Sequence, residues 1–320
     1  VIASWIPILL AATTGVAGAI ERPAAEVDSG PRLPMHLRST GALASTGDGR
    51  GQVIEPAGLI VDPLGRVHVS DAALHRVQRF DPDGRWIGEA GVLGSDPGQL
   101  RRPGNVALLG TQGVAVLDRE NRRISGYDVF GRFSGVLVDL AGEPLADQVG
   151  RVTPVALATD RGGALYVADA DRDRVLAFDF SGRYLRTLGG FGAHAGSFRG
   201  LAGLAVTPKG ELVTVERDGA RVQRLDAGGR PVAAWPIEPA RSRGALSVAV
   251  DDSLRVAVAD EELGQVWVFD GAGRPLARLE GLAEPRALAF AGDGELLVAE
   301  SGRVSRFVLE RGRPRPTPKD

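Results

Sequence analysis

Short runs of alternating apolar and polar residues fill most of the chain, and turns rich in Asp and Gly separate them. Runs of this length and period predict half-buried β-strands, not helices. The segment GLIVDPLGRVHVSDAALHRVQRFDPDGRWIGEAG, from Gly58, and ALATDRGGALYVADADRDRVLAFDFSGRYLRTLGG, from Ala156, carry the same pattern. Both read as strand, turn, strand, short loop, strand, turn, strand. Val67, Val69, Val77 and Phe80 of the first match Leu165, Val167, Val175 and Phe178 of the second.

An acidic residue closes the second strand of each such unit, at Asp71, Asp118, Asp169, Glu216, Asp260 and Glu300, with intervals of 47, 51, 47, 44 and 40 residues. An arginine opens the third strand five residues after the acid at Arg76, Arg123, Arg174 and Arg221; Gln265 takes that place in the fifth unit, and Arg303 lies nearer its acid in the sixth. A D-x-x-G-R turn then joins the third and fourth strands, as in Asp128/Gly131/Arg132 and Asp179/Gly182/Arg183. Asp caps such a turn and Gly relieves its strain. The expected fold is all-β, a six-bladed β-propeller. A feature present in every blade serves what the blades share, so the acids and arginines are expected to pair and hold each blade together.

The sixth unit supplies only three strands. MHLRSTGALASTGDGRGQVIEP, from Met35, matches the fourth strand and exit loop of other units, so Leu37–Gly41 is expected to complete the last blade. The propeller then spans 35–310. Before it, Val1–Ile20 is uncharged, has an apolar core at Ile6, Ile8, Leu9 and Leu10, and ends in small residues at Ala17-Gly18-Ala19. Residues 1–19 are therefore expected to be an export signal or N-terminal anchor, with 20–34 a linker. The expected location is periplasmic or extracellular, with membrane attachment only if that segment is uncleaved. Residues 311–320, basic and proline-rich, are expected to be disordered.

The chain resembles the NHL-repeat family of propellers at Val69-Ser70-Asp71 with His75–Asp81, at Val167-Ala168-Asp169 with Arg174-Val175, and in the G-x-x-G-x-x-P-G-Q pattern at Gly91, Gly94, Pro97, Gly98 and Gln99. The resemblance runs from about Leu37 to Leu309 and is specific for fold. It implies a scaffold used for protein binding, RNA binding, signal sensing and a few lyases. Amidating-lyase relatives use metal-binding histidines from several blades. The four histidines here, His36, His68, His75 and His194, do not match such a set.

Composition narrows the chemistry. The absence of cysteine removes disulfides, thiolate metal sites and a thiol nucleophile. No G-x-S-x-G, phosphate-loop or H-E-x-x-H motif occurs. A net charge of −2 gives no general reason to expect nucleic acid, and none is expected as a partner.

What varies between the units is the approach to each innermost strand, which in propellers faces the central funnel. Glu55, Arg102, Asn105, Arg243, Glu284 and Arg286 stand there, and they form the candidate ligand-binding set. Glu55, Asn105 and Glu284 offer the oxygen ligands that Ca²⁺ prefers, while Arg102, Arg243 and Arg286 bring positive charge to the same mouth. No cofactor is expected as the leading reading, with Ca²⁺ as its alternative. Two irregular connections, from Val138 and from Trp235, lie towards the same end and suit recognition, with Trp235 reading equally as cover for the blade edge. The expected function is an exported, non-catalytic binding module, holding a protein or small ligand on one propeller face. A divalent-metal-dependent hydrolase or lyase of lactonase type, with its site in the funnel, is the alternative.

Overall fold

The second strand of every blade is buried along its whole length, from Val67–Asp71 in blade one to Leu296–Glu300 in blade six. Alternation fails there because both faces of a middle strand pack against neighbouring blades. The computed structural model describes residues 33–111, 113–237, 244, 246–292 and 294–311. The segments expected to direct export and to form the C-terminal tail, apart from Arg311, lie outside the described residues.

Six sheets form the ring. Blade one is built from Pro56–Val61, Val67–Asp71, Arg76–Phe80 and Trp86–Ala90, in that order from the centre outwards and antiparallel throughout. Blades two to five repeat this over 103–139, 154–189, 201–236 and 246–279. Each first strand touches the first strands of both neighbouring blades, which places the six around a central channel.

The ring closes as the sequence predicts. Met35–Thr46 runs antiparallel to Arg303–Arg311, from Met35 opposite Arg311 to Ala44 opposite Val304, and so becomes the outer strand of blade six. Leu43, Ala44 and Val53 pack with Leu59, Val69 and Phe80 of blade one and Leu297 and Ala299 of blade six. This cluster seals the seam and covers an edge that would otherwise be open to pairing.

The turn chemistry follows the motif. Asp128 Oδ1 accepts from the backbone N–H groups of Phe130 and Arg132, and its Oδ2 pairs with Arg132 Nε at 2.6 Å. In the next blade the hydroxyl of Ser181 and the groups of Arg183 draw the Asp179 carboxyl down to about 2. Arginines also link successive blades at these turns: Arg79 donates to the Val129 carbonyl, Arg186 to Ala227, Arg224 to Gly271 and Arg306 to Pro82. The last of these spans the seam.

Candidate functional site

The residues at the funnel mouth are fixed by the buried acids. Asp71 accepts the N–H groups of Ile54 and Glu55 at 2.8 and 3.2 Å, just before the first strand of its own blade. Asp118 holds Arg101 N at 2.7 Å, Asp169 holds Thr153 N at 2.9 Å, Glu216 holds Arg199 N at 2.8 Å and Glu300 holds Ala283 N at 3.1 Å. A carboxylate with almost no solvent contact must be satisfied locally, and the backbone leading into the strand provides the donors. The acid ladder thereby sets the position of the rim.

The expected acid–arginine pair in every blade needs correction. Direct pairs occur in blades two, three and four: Arg123–Asp118 at 2.9 Å, Arg174–Asp169 at 2.8 Å and Arg221–Glu216 at 2.7 Å. In blade one Asp71 is filled by four backbone N–H groups, and Arg76 turns to Glu89 at 2.9 Å. In blade five Gln265 donates to Glu280, and in blade six Ser305 donates to Glu300 at 2.6 Å. What the arginines share is a grip on the preceding connection. Arg76 donates to the carbonyls of Asp48, Gly49 and Gln52; Arg123 to those of Ser95, Asp96 and Gln99; Arg221 to those of Ala193, His194 and Ser197.

At the mouth itself Glu55, Arg102, Glu284 and Arg286 come together. Arg102 Nη2 donates to both Glu55 oxygens at 2.7 and 2.8 Å, and Arg286 Nη1 donates to Glu55 Oε1 at 2.9 Å. Arg286 also reaches Glu284 Oε2 at 2.7 Å through Nη2 and Glu261 Oε1 at 2.9 Å through Nε. A belt of ion pairs therefore crosses from blade two through blades one and six to blade five. As a cradle for Ca²⁺ the set Glu55, Asn105 and Glu284 does not fit this arrangement, because guanidinium groups occupy both carboxylates. Arg243 lies outside the described residues.

Below the belt is a cavity of about 360 Å³. Glu55, Asn105 and Arg286 line it, joined by three residues that the sequence reading passed over: Arg119, Arg217 and Glu261. Each of these directly follows a ladder acid. The corresponding positions read Ala72, Arg119, Ala170, Arg217, Glu261 and Ser301 around the ring. This variable position, next to an invariant one, was the signal available in the sequence.

The charges are unevenly distributed. Three guanidinium groups face two carboxylates in the lining. Arg286 is paired three ways and Arg217 has Asp218 beside it at 3.4 Å, whereas Arg119 makes no ion pair or side-chain hydrogen bond among the described residues. Arg119 keeps an exposed face on the funnel, while the bulk of protein around it thins its share of solvent. That desolvation, with Arg102 and Arg286 nearby, lowers its pKa from the ordinary arginine value against the pull of Glu55 and Glu261. Ser247, also in the lining, keeps a buried hydroxyl with no hydrogen-bond partner among the described residues.

The histidines are dispersed. His36 pairs with Glu310 at 3.2 Å, His68 is buried beside Asp62 at 3.3 Å, and His75 accepts the Arg102 N–H through Nδ1 at 3.0 Å. Among the described residues no group of three or more His, Cys, Asp or Glu is placed to hold a metal ion. The irregular connections are partly structural. That from Val138 contains the helix Glu143–Val149, whose Leu145 and Val149 join the core, and Trp235 packs against Val222 and Phe269. Trp235 thus covers a blade edge and is not free for recognition.

Comparison with known proteins agrees with this architecture. No family model matches the chain. Protein brain tumor of Drosophila melanogaster is 30% identical over 141 residues, covering 43% of this chain and 13% of that protein. The human E3 ubiquitin-protein ligase NHLRC1 is 27% identical over 124 residues, covering 38% of this chain and 31% of that protein. These matches and the six blades are consistent with an NHL-repeat family. The matched part of the chain spans under a third of either relative. Among solved structures, the NHL-repeat propeller is similar to a streptogramin B lyase, with a TM-score of 0.62 and 13% identity over 86% of this chain and 98% of that one. It is similar too to regucalcin, a calcium-binding protein of Agrobacterium tumefaciens, with a TM-score of 0.62 and 14% identity over 89% and 99%. A gluconolactonase of Xanthomonas campestris gives a TM-score of 0.61 and 18% identity over 88% and 98%. At these identities the likeness speaks for the fold alone.

Proposed function

We propose that this NHL-repeat propeller is a binding module whose recognition site is the central funnel, taking a protein or small ligand through an anionic group. Arg119 carries the reading: it is a cation in the wall of a cavity, without a carboxylate partner among the described residues. A guanidinium exposed on the wall of a concave site is placed to meet an anionic group of a ligand. The rim supports the reading, since the residues that vary between blades gather there while the shared ones hold the scaffold. The metal-dependent alternative draws less support, because Glu55 and Glu284 are already held by arginines. Export belongs to the proposal only through the uncharged segment Val1–Ile20.

Calorimetry of the full chain against acetate, phosphate, sulfate and a short acidic peptide tests this reading. At least one anion should bind, and Arg119→Leu should weaken it by about tenfold or more, the scale of one charge-assisted contact. Binding unchanged in Arg119→Leu, or no binding by any anion, would overturn it.

A further inference from the structure

Charge is concentrated on one side of the funnel wall. Blades one, two, five and six contribute Glu55, Asn105, Arg119, Ser247, Glu261 and Arg286, with Ala57, Leu246 and Val248 between them. Blades three and four present Val155, Ala170 and Ala202, backed by the core residues Ala156, Leu201 and Leu204, with Arg217 as the charged side chain on that side. The fold leaves the chemistry of these positions open: Ala170 stands where blade two has Arg119, blade four Arg217 and blade five Glu261. A channel meant only to hold water has no need of an apolar side.

From this division we infer that the ligand is a small amphipathic monocarboxylate, its carboxylate on Arg119 and its short aliphatic or aryl body against the wall of blades three and four. The inference rests on the anion-binding reading above and adds the class of ligand. The bidentate fork of a guanidinium matches a carboxylate in shape as well as charge. A single negative charge is favoured because the three guanidinium groups and two carboxylates of the lining leave one positive charge to balance. Asn105 brings a further hydrogen-bonding group to that side. A cavity of about 360 Å³ is at the small end of ligand sites, which suits a body of a few carbons.

The ion-pair belt ties blades two, one, six and five across the mouth and so fixes the charged side of the site.

The test is calorimetric titration of the full chain with acetate, butyrate, hexanoate, hexanol and hexylammonium. Affinity should rise along the acids, by up to about fourfold for each methylene buried. Hexanol should bind at least tenfold more weakly than hexanoate, and hexylammonium not at all. Arg119→Leu should remove the preference for hexanoate over hexanol, and Arg119→Lys should restore part of it. Ala202→Asp should abolish the gain with chain length while leaving acetate binding within about threefold. Unchanged thermal unfolding of each variant confirms that the fold survives. Acetate and hexanoate binding equally, both dependent on Arg119, would overturn the amphipathic ligand and leave the anion site standing. Hexanol or hexylammonium binding as tightly as hexanoate, or no acid binding while phosphate or the acidic peptide does, would overturn the ligand class. No anion binding at all overturns both.

Discussion

Arg102 closes on Glu55 with one terminal nitrogen between both carboxylate oxygens, at 2.7 and 2.8 Å, and so joins the approach to blade two to the approach to blade one. Arg286 takes the same carboxylate from the other side at 2.9 Å. Glu55 is thus the negative centre between two cations from adjacent blades. Replacing it by the neutral isostere, Glu55→Gln, leaves both guanidinium groups facing the funnel with less to neutralise them. Anion affinity measured by calorimetry should then rise by about tenfold at low salt, and the gain should shrink at high salt as screening takes hold.

The ladder acids differ in how much depends on them. Asp169 is fully buried, pairs with Arg174 and holds the Thr153 N–H. Asp169→Ala leaves both donors unsatisfied and should cost about 3–5 kcal/mol in denaturant unfolding. Arg303, exposed in blade six, holds the position equivalent to Arg174. Arg303→Ala should change stability by no more than about 0.5 kcal/mol. Equal losses at the two sites would show that the ladder works through something other than burial.

Each blade turns from its second strand to its third through a residue with positive φ, and blade four places Ala220 there at φ 47. Blade five uses Gly264 at the corresponding position. An alanine in the left-handed region carries a steric penalty that glycine avoids. Ala220→Gly should stabilise the protein by about 0.5–1 kcal/mol after glycine's greater unfolded-state entropy is counted, which a chemical melt can resolve.

His68 introduces a pH dependence. It is buried on the second strand of blade one, with Asp62 at 3.3 Å and with Arg66 and Arg79 close enough to oppose its protonation. Burial is the largest effect and lowers its pKa from 6.5 in spite of Asp62. The unfolded chain therefore takes up this proton at a higher pH than the folded one does. Below the unfolded pKa the unfolded state binds more protons, so stability falls with pH through that window and is fully regained above it. The unfolding midpoint should drop between pH 8 and pH 5 more in the parent than in His68→Gln. Equal slopes would remove His68 as the cause.

The sequence made the architecture legible because a repeat announces itself six times over. Even the closing strand at Met35 could be placed, since its resemblance to other fourth strands was local. Pairing inside the ladder was less legible. Asp71 and Asp118 look alike in sequence, yet one satisfies itself on backbone amides and the other on Arg123, a choice made by neighbouring loops. At the mouth Glu55, Arg102, Glu284 and Arg286 were visible because they break the repeat. Arg119 was not, because it sits beside the most regular residue of its blade and is drawn into the funnel only by the direction of the chain after Asp118. Trp235 reads by composition equally as a contact residue or as cover for a blade edge, and its burial decides for the second.

The seam of the ring also bears on how the protein is made. The strand Met35–Thr46 leaves the ribosome early, and its partner Arg303–Arg311 comes last. Between positions 46 and 303 synthesis takes about 13–50 s at about 5–20 residues per second. For that interval the early strand waits as a solitary ribbon while five blades stack behind it. Its composition suits the wait: His36, Arg38, Ser39, Thr40 and Gly41 interrupt the apolar positions and make it a poor template for a stranger's strand. The same residues that make it unremarkable within blade six serve as its guard during birth, and the finished circle dates from the moment the final strand arrives.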